Sequence, residues 1–370
     1  MSGPARLVIK VGSSTLTHPT GKLNLGRMEA LARELADLAN AGHRPLLVTS
    51  GAVAAGMGRL GRGGKPRNLA ERQAMAAIGQ GLLMQIYEKL FGEYNQIVAQ
   101  VLLTRDDTRE RRRYLNARRT LFTLLELGVI PIINENDTVA TEELQCQFGE
   151  NDTLAAMVAG LIGADLLVLI SDVDGLYTAD PRHDPGALRI PEVEEITPAL
   201  LRVAGGAGTD LGSGGMASKL AAARIATSSG CPMALIAGEP PGTLACLLRG
   251  EDVGTVFLPR ARSLPAREQW IAFGQLPHGE LVVDAGASRA LREGGKSLLP
   301  SGIVAVRGEF VEGDLVKVVD QEGNEFARGL VNYNHEDVVK LMGHRTNEIE
   351  RLLGRKGYEE IIHRDNMVCL

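Results

Sequence analysis

Between residues 5 and 258, short uniformly apolar runs alternate with longer stretches whose apolar positions recur every three or four residues. The runs Leu7–Val11, Pro45–Thr49, Ile97–Leu103, Val129–Ile133, Leu166–Ile170 and Met233–Ala237 read as strands buried on both faces. Leu25, Met28, Leu31, Leu35 and Leu38 keep helical spacing, with Gly42 as the stop. Met75, Ile78, Leu82, Ile86 and Leu90 form a second helical stripe, and Leu121, Leu124 and Leu125 lie on a third. Such alternation predicts an α/β fold, a mostly parallel sheet sandwiched by helices, with ligands at the carboxyl ends of the strands.

The pattern changes at "LPRARSLPARE", Leu258–Glu268, which has no apolar period. Beyond it Leu281–Val283, Ile303–Val306, Leu315–Val319 and Phe326–Val331 are short alternating runs separated by Gly turns, the pattern of a small β-barrel-like domain with a helical tail. The expected division is therefore 1–258, a linker at 259–267, and 268–370.

Charge and composition narrow the class. The chain of 370 residues has a net charge of −5, so no global field draws it to nucleic acid or anionic membrane. Glycine is the outlier at 44 residues, which points to tight turns and backbone-lined sites. Cys146, Cys231, Cys246 and Cys369 form no CxxC pair, as expected of a reduced, cytoplasmic protein. No secretory h-region is visible at the start, and "VAGLIGADLLVLI" is broken by Asp165 and too short to span a bilayer.

Five segments carry the candidate chemistry, each at a strand end or a helix start. In "KVGSST" a lysine, Lys10, ends a core strand on the lip of a Gly12 turn; it is either snorkelling or charge supplied to a moving phosphoryl group. In "VTSGAVAAG", Ser50 and the Gly51 amide suit a substrate carboxylate, unless this is only a tightly packed small-residue turn. "PIINENDTVATEELQCQFGENDTLAA" brings two Asn/Asp clusters, at 134–137 and 149–152, toward one place. They suit an ammonium group and the orientation of lysines; the plainer reading is Asx turns and a helix cap. In "LLVLISDVDGLYTADPR" an apolar strand ends in Ser171-Asp172.

The fifth segment, "LGSGGMASKLAAARIA", is a glycine-rich turn before a helix opening near Met216, a phosphate-binding arrangement or a structural hinge. Lys219 lies one turn in, and Ser218-Lys219-Leu220 is not a Walker A ending. No HExxH or CxxC metal pattern and no Ser-His-Asp array competes, which leaves phosphoryl transfer and no protein metal site. Seven arginines in "TRDDTRERRRYLNARRT" are interleaved with Asp106, Asp107 and Glu110, as on a solvated helix face or a subunit contact.

"VIKVGSS", "VTSGAVAAG", "YLNAR", "INENDTVA", "GENDTLAA", "GLYTADPR" and "GSGGMASK", in this order, resemble the amino acid kinase family, in its branch acting on glutamate. Residues 279–313 resemble a PUA domain. The resemblance implies ATP-dependent phosphorylation of the γ-carboxylate of L-glutamate, the first step of proline biosynthesis, with Mg²⁺ on the nucleotide. It implies that Lys10 and Lys219 flank the phosphoryl group and that Asp152 holds them. It assigns Ser50, Gly51, Asn136, Asp137 and Asn151 to glutamate. It assigns Ser171, Asp172, Ser213, Gly214, Gly215, Met216, Ala217, Ser218 and Lys219 to ATP. Proline as feedback inhibitor, a homo-oligomer and hand-off to the next pathway enzyme are implied as well.

Two features depart from the family. The loop "EELQCQFGEND" is longer, and Glu150 stands where Asp is usual. The rival readings are another carboxylate or UMP kinase of the same fold, and RNA binding through the PUA-like part. Against the latter, residues 261–370 carry 14 Lys and Arg against 17 Asp and Glu, a net of −3.

Overall fold

The computed structural model describes residues 3–18, 20–64, 66–104, 106–107, 110–140, 150–197, 200–201, 215–259, 268, 271–272, 277–355 and 357–370. Two compact units divide the chain, Met1–Ser263 and Leu264–Leu370.

The first unit is built on β1 (Arg6–Val11), β2 (Arg44–Val48), β3 (Val98–Leu103), β4 (Ile130–Glu135), β5 (Leu166–Ser171), β8 (Glu192–Val193), β9 (Met233–Ala237) and β10 (Gly254–Phe257). They form one sheet in the order β3-β4-β2-β1-β5-β9-β10-β8. Pairing is parallel except between β9 and β10, so the α/β expectation holds with an antiparallel step near one edge. A short ribbon of β6 (Leu176–Tyr177) and β7 (Arg189–Ile190) stands apart.

Alternation along the central strands feeds two cores. Val8, Leu167 and Leu169 pack with Leu121 and Leu125 of α5 (Arg111–Glu126), Ala155 and Val158 of α6 (Glu150–Ile162), and Leu220 and Ala223 of α7 (Met216–Ser228). Leu7, Ile9 and Val168 face the other way, onto Met28 and Leu35 of α2 (Leu25–Asn40) and Leu83 and Phe91 of α4 (Leu69–Gly92). Each fully buried Val, Leu, Ile, Phe or Met side chain among them stabilises the fold by about 1.5–3 kcal/mol. The first stripe lands on the core apart from exposed Leu25; on α4 the fully buried line runs one residue beyond the expected stripe, through Leu83, Tyr87 and Phe91, with Ile78 exposed and Leu82, Ile86 and Leu90 at its margin. Asn24 caps α2 by accepting from the Arg27 amide at 3.2 Å, and Gly42, at φ +88, turns the chain into β2.

The sequence pattern missed several helices, Thr243–Leu248 and Ala285–Gly294 among them. After the four-residue α1 (Ser13–Leu16), the small-residue segment beyond Gly51 is not a turn but a helix, α3 (Ala52–Arg59). Its small residues let it lie backbone to backbone on α4. A Cβ on Gly79 would fall 1.7 Å from the Ala52 carbonyl oxygen, and one on Gly56 2.0 Å from that of Met75. Gly79→Ala is therefore expected to overpack this crossing by about 1–3 kcal/mol or more. Urea unfolding checks this; an unchanged midpoint would show that the two helices can part freely.

In the second unit β11 (Gly279–Val283), β12 (Ile303–Gly308), β13 (Leu315–Val319), β14 (Glu325–Leu330) and β15 (Met367–Cys369) form a sheet ordered β12-β11-β13-β14-β15. Only β11–β13 is parallel. Four strands match the expected runs. The fifth, β15, is too short to carry an alternation signal. Leu281, Val316, Phe326, Ile349 and Tyr333 fill its core. Among the described residues no helix is long and apolar enough to cross a membrane.

Candidate active site

The candidate residues gather at the carboxyl edge of four neighbouring strands, β4, β2, β1 and β5. In register, Ile133, Val48, Lys10 and Leu169 form one row across the sheet. One or two residues past that row come Asn134, Ser50, Gly12 and Ser171. The sheet thus fixes the four segments side by side, although they are up to about 160 residues apart in sequence.

Lys10 is buried and does not snorkel. Its Nζ lies 2.5 Å from Asp152 Oδ1, with side-chain exposures of 10% and 1%. Asp152 comes from the first turn of α6, and its other oxygen accepts the Ser218 hydroxyl of α7 at 2.9 Å. Ser218 thereby ties α7, which also carries buried Lys219, to the same carboxylate. Among the described residues Lys10, Asp152 and Lys219 are the only buried charged side chains. Burial pushes the Lys219 pKa below the ordinary lysine value of 10.5; Asp152 pulls it back up and the charge of Lys10 pushes it down. Two buried cations around one carboxylate leave a positive excess, costly when empty and suited to a multiply charged anion.

The Gly12 turn lies directly beside the Lys10 ammonium group. A Cβ there would sit 3.8 Å from the Lys10 ammonium nitrogen, and the Gly12 amide donates to the Ile170 carbonyl at 3.2 Å, pinning the turn to β5. Gly215 caps α7 with no side-chain hydrogen bond among the described residues, and the Ser218 amide donates back to the Gly215 carbonyl at 3.0 Å. Met216 and Ala217 open the helix beside it. Ser213 and Gly214 lie outside the described residues, as does the loop at 141–149.

On the other side of Lys10 lies a network of amides. Asn151 Nδ2 donates to the Thr49 carbonyl at 3.0 Å, to Ser50 Oγ at 2.9 Å and to Asn134 Oδ1 at 3.1 Å. Asn134 Nδ2 donates to Gln80 Oε1 of α4 at 2.8 Å. Thr49 Oγ1 meets the hydroxyl of fully buried Tyr87, also on α4, at 2.8 Å. Gly51, at φ +93, turns the chain into α3 and presents that helix's first amides beside Ser50.

The remaining candidates are looser. Asp137 lies 3.9 Å from an Arg72 nitrogen, Asn136 accepts the Thr138 hydroxyl at 2.7 Å, and Ser171 donates to Asp172 at 2.9 Å. Reading the sequence missed Gln80, Thr49 and Tyr87, and did not assign Asn134 a role. Gln80 stands in a helical stretch and carries no motif; only its spacing of seven from Tyr87, two turns along one face, hints at a shared role.

Comparison with known proteins agrees over the full length. The family model described as "Amino acid kinase family" matches residues 5–237, and the PUA domain model matches 279–353. A glutamate 5-kinase of Moorella thermoacetica is 55% identical over 370 residues, 100% of this chain and 97% of that protein. Those of Caldanaerobacter subterraneus subsp. tengcongensis and Carboxydothermus hydrogenoformans are each 54% identical, covering 99% of this chain and 98% and 97% of theirs.

Proposed function

This chain belongs to the amino acid kinase family, and from that membership and its glutamate 5-kinase relatives we infer that it is an ATP-dependent kinase of L-glutamate. A γ-carboxylate oxygen of glutamate attacks the γ-phosphorus of ATP, the bond to the β,γ-bridging oxygen breaks, and L-glutamyl 5-phosphate and ADP result. This step needs no protein nucleophile. It needs alignment and neutralisation of charge on the transferred group.

The observation that carries the reading is the trio of buried charges. We assign Lys10 and Lys219 to the oxygens of the moving phosphoryl group, and Asp152 to holding both ammonium groups in place. Gly215–Lys219, with Ser213 and Gly214, is assigned to the ATP phosphates, and Ser171 and Asp172 to the rest of the nucleotide. Ser50, Gly51, Asn136, Asp137 and Asn151 are assigned to glutamate. The amides at the start of α3 suit its α-carboxylate and the Asn and Asp side chains its ammonium group.

ATP-dependent transfer requires a divalent cation, and we propose Mg²⁺ brought in on the nucleotide. Among the described residues no three His, Cys, Asp or Glu side chains gather into a cage. Mg²⁺ needs none, since it keeps several waters and binds through substrate phosphates. Bound there, it neutralises phosphate charge. Proline inhibition, homo-oligomer formation and a cytoplasmic location are part of this proposal. So is direct hand-off of the product, which would protect a hydrolysis-prone acyl phosphate. RNA binding is not, given the negative balance of the second unit.

Trapping the acyl phosphate as a hydroxamate tests the reading. With ATP and Mg²⁺, L-glutamate is expected to give product at a kcat/KM at least about 100-fold above aspartate, acetylglutamate or carbamate. Turnover of aspartate in preference to glutamate would overturn it.

A further inference from the structure

The amide network has a direction: at one end the Thr49 carbonyl can only accept, which fixes the Asn151 nitrogen toward it, and at the other Gln80 of α4 receives the Asn134 nitrogen. Asn134 Nδ2 donates to Gln80 Oε1, so Asn134 must turn its oxygen toward Asn151 and accept there. The two hydrogens of the Asn151 nitrogen are then shared among three protein acceptors, one of them Ser50 Oγ. Two groups remain for a ligand. Asn151 Oδ1 is buried and has no partner among the described residues, an acceptor fit for an ammonium group. The Ser50 hydroxyl, already accepting through its oxygen, keeps its proton to donate to a carboxylate.

That is one acceptor and one donor, what the two charged ends of an amino acid require. Gln80 holds Asn134 in the orientation this polarity requires, without needing to touch the ligand. If its oxygen were lost, the Asn134 amide could rotate and present nitrogen to the Asn151 nitrogen, which the Thr49 carbonyl keeps from turning, and Asn151 would lose an acceptor and shift. The amide nitrogen of Gln80 is itself buried and has no partner among the described residues. A glutamine kept there at that cost is better explained by its oxygen than by packing.

We propose that Gln80 is a positioning residue for the amino acid substrate, acting through Asn134 on Asn151 and Ser50; this rests on the glutamate kinase reading above. The test compares the full-length protein with Gln80→Met, Gln80→Glu, Asn134→Ala and the double variant Gln80→Met/Asn134→Ala. Each is followed by hydroxamate formation and thermal unfolding. Gln80→Met, close in shape but without the acceptor, is expected to raise KM for glutamate about 10- to 100-fold, with kcat and KM for ATP within about 3-fold. Gln80→Glu keeps an oxygen at that position and is expected to stay within about 3-fold of wild type. The double variant is expected to be no worse than Asn134→Ala.

Additive effects, equal losses in the Met and Glu variants, or KM for ATP rising together with KM for glutamate would overturn the proposal. If wild type formed no glutamyl hydroxamate, the glutamate reading itself would fall, and that is seen before any variant is compared.

Discussion

Replacing Lys219 by Met is expected to reduce kcat about 10²–10³-fold while leaving the protein at least as thermally stable as wild type. The loss follows from removing one of two preorganised cations from the transferred phosphoryl group. The stability follows from burial: Lys219 is 6% exposed, and its lowered pKa means that folding disfavours its charged form. The sign can be checked with pH. Below the ordinary lysine pKa of 10.5 the unfolded chain binds the proton more tightly than the folded one, so wild-type stability is expected to rise with pH approaching 10.5. Lys219→Met lacks that rise. Equal losses of activity and melting temperature would instead make Lys219 a structural residue.

The second large effect is expected at the carboxylate. Asp152→Asn preserves shape and an oxygen for Ser218, yet leaves Lys10 and Lys219 buried without their counter-charge. Removing one partner of a buried pair typically costs about 3–5 kcal/mol, so this variant should melt well below wild type as well as losing turnover. The two variants therefore part on stability although both lose activity. A further consequence separates an empty charge trap from simple unfolding. Excess inorganic phosphate should raise the melting temperature of Asp152→Asn more than that of wild type, because an anion supplies the missing charge. A melting temperature equal to wild type would mean that the two lysines do not depend on Asp152.

The main sheet was legible because its strands are apolar on both faces and its helices keep their spacing. The six expected central strands differ from the observed ones only at their ends. The helix α3 was hidden because its small residues serve a backbone contact with α4, and small residues carry no periodic apolar signal. The step to β10 was hidden too, since a four-residue strand looks the same in either direction.

At the site, Lys10 was legible as a charge in the wrong place, and so were the Asn/Asp clusters. What they do to one another was not. The choice between a helix cap and a partner for lysine at Asp152 turns on a 2.5 Å contact across 142 residues of sequence. Ser218 stood among the phosphate candidates, yet its hydroxyl is spent on Asp152 and on the Gly215 carbonyl. Gln80 and Tyr87 could be found only once the sheet had set the ends of β2 and β4 above one face of α4.

The most direct test is a single-turnover measurement of glutamyl phosphate formed from bound ATP, comparing wild type with Lys219→Met at saturating glutamate. Rapid formation by wild type, and a rate about 10²–10³-fold lower in a variant that melts no earlier, is the predicted result. A variant that forms the acyl phosphate at the wild-type rate would contradict the assignment of this buried charge to phosphoryl transfer.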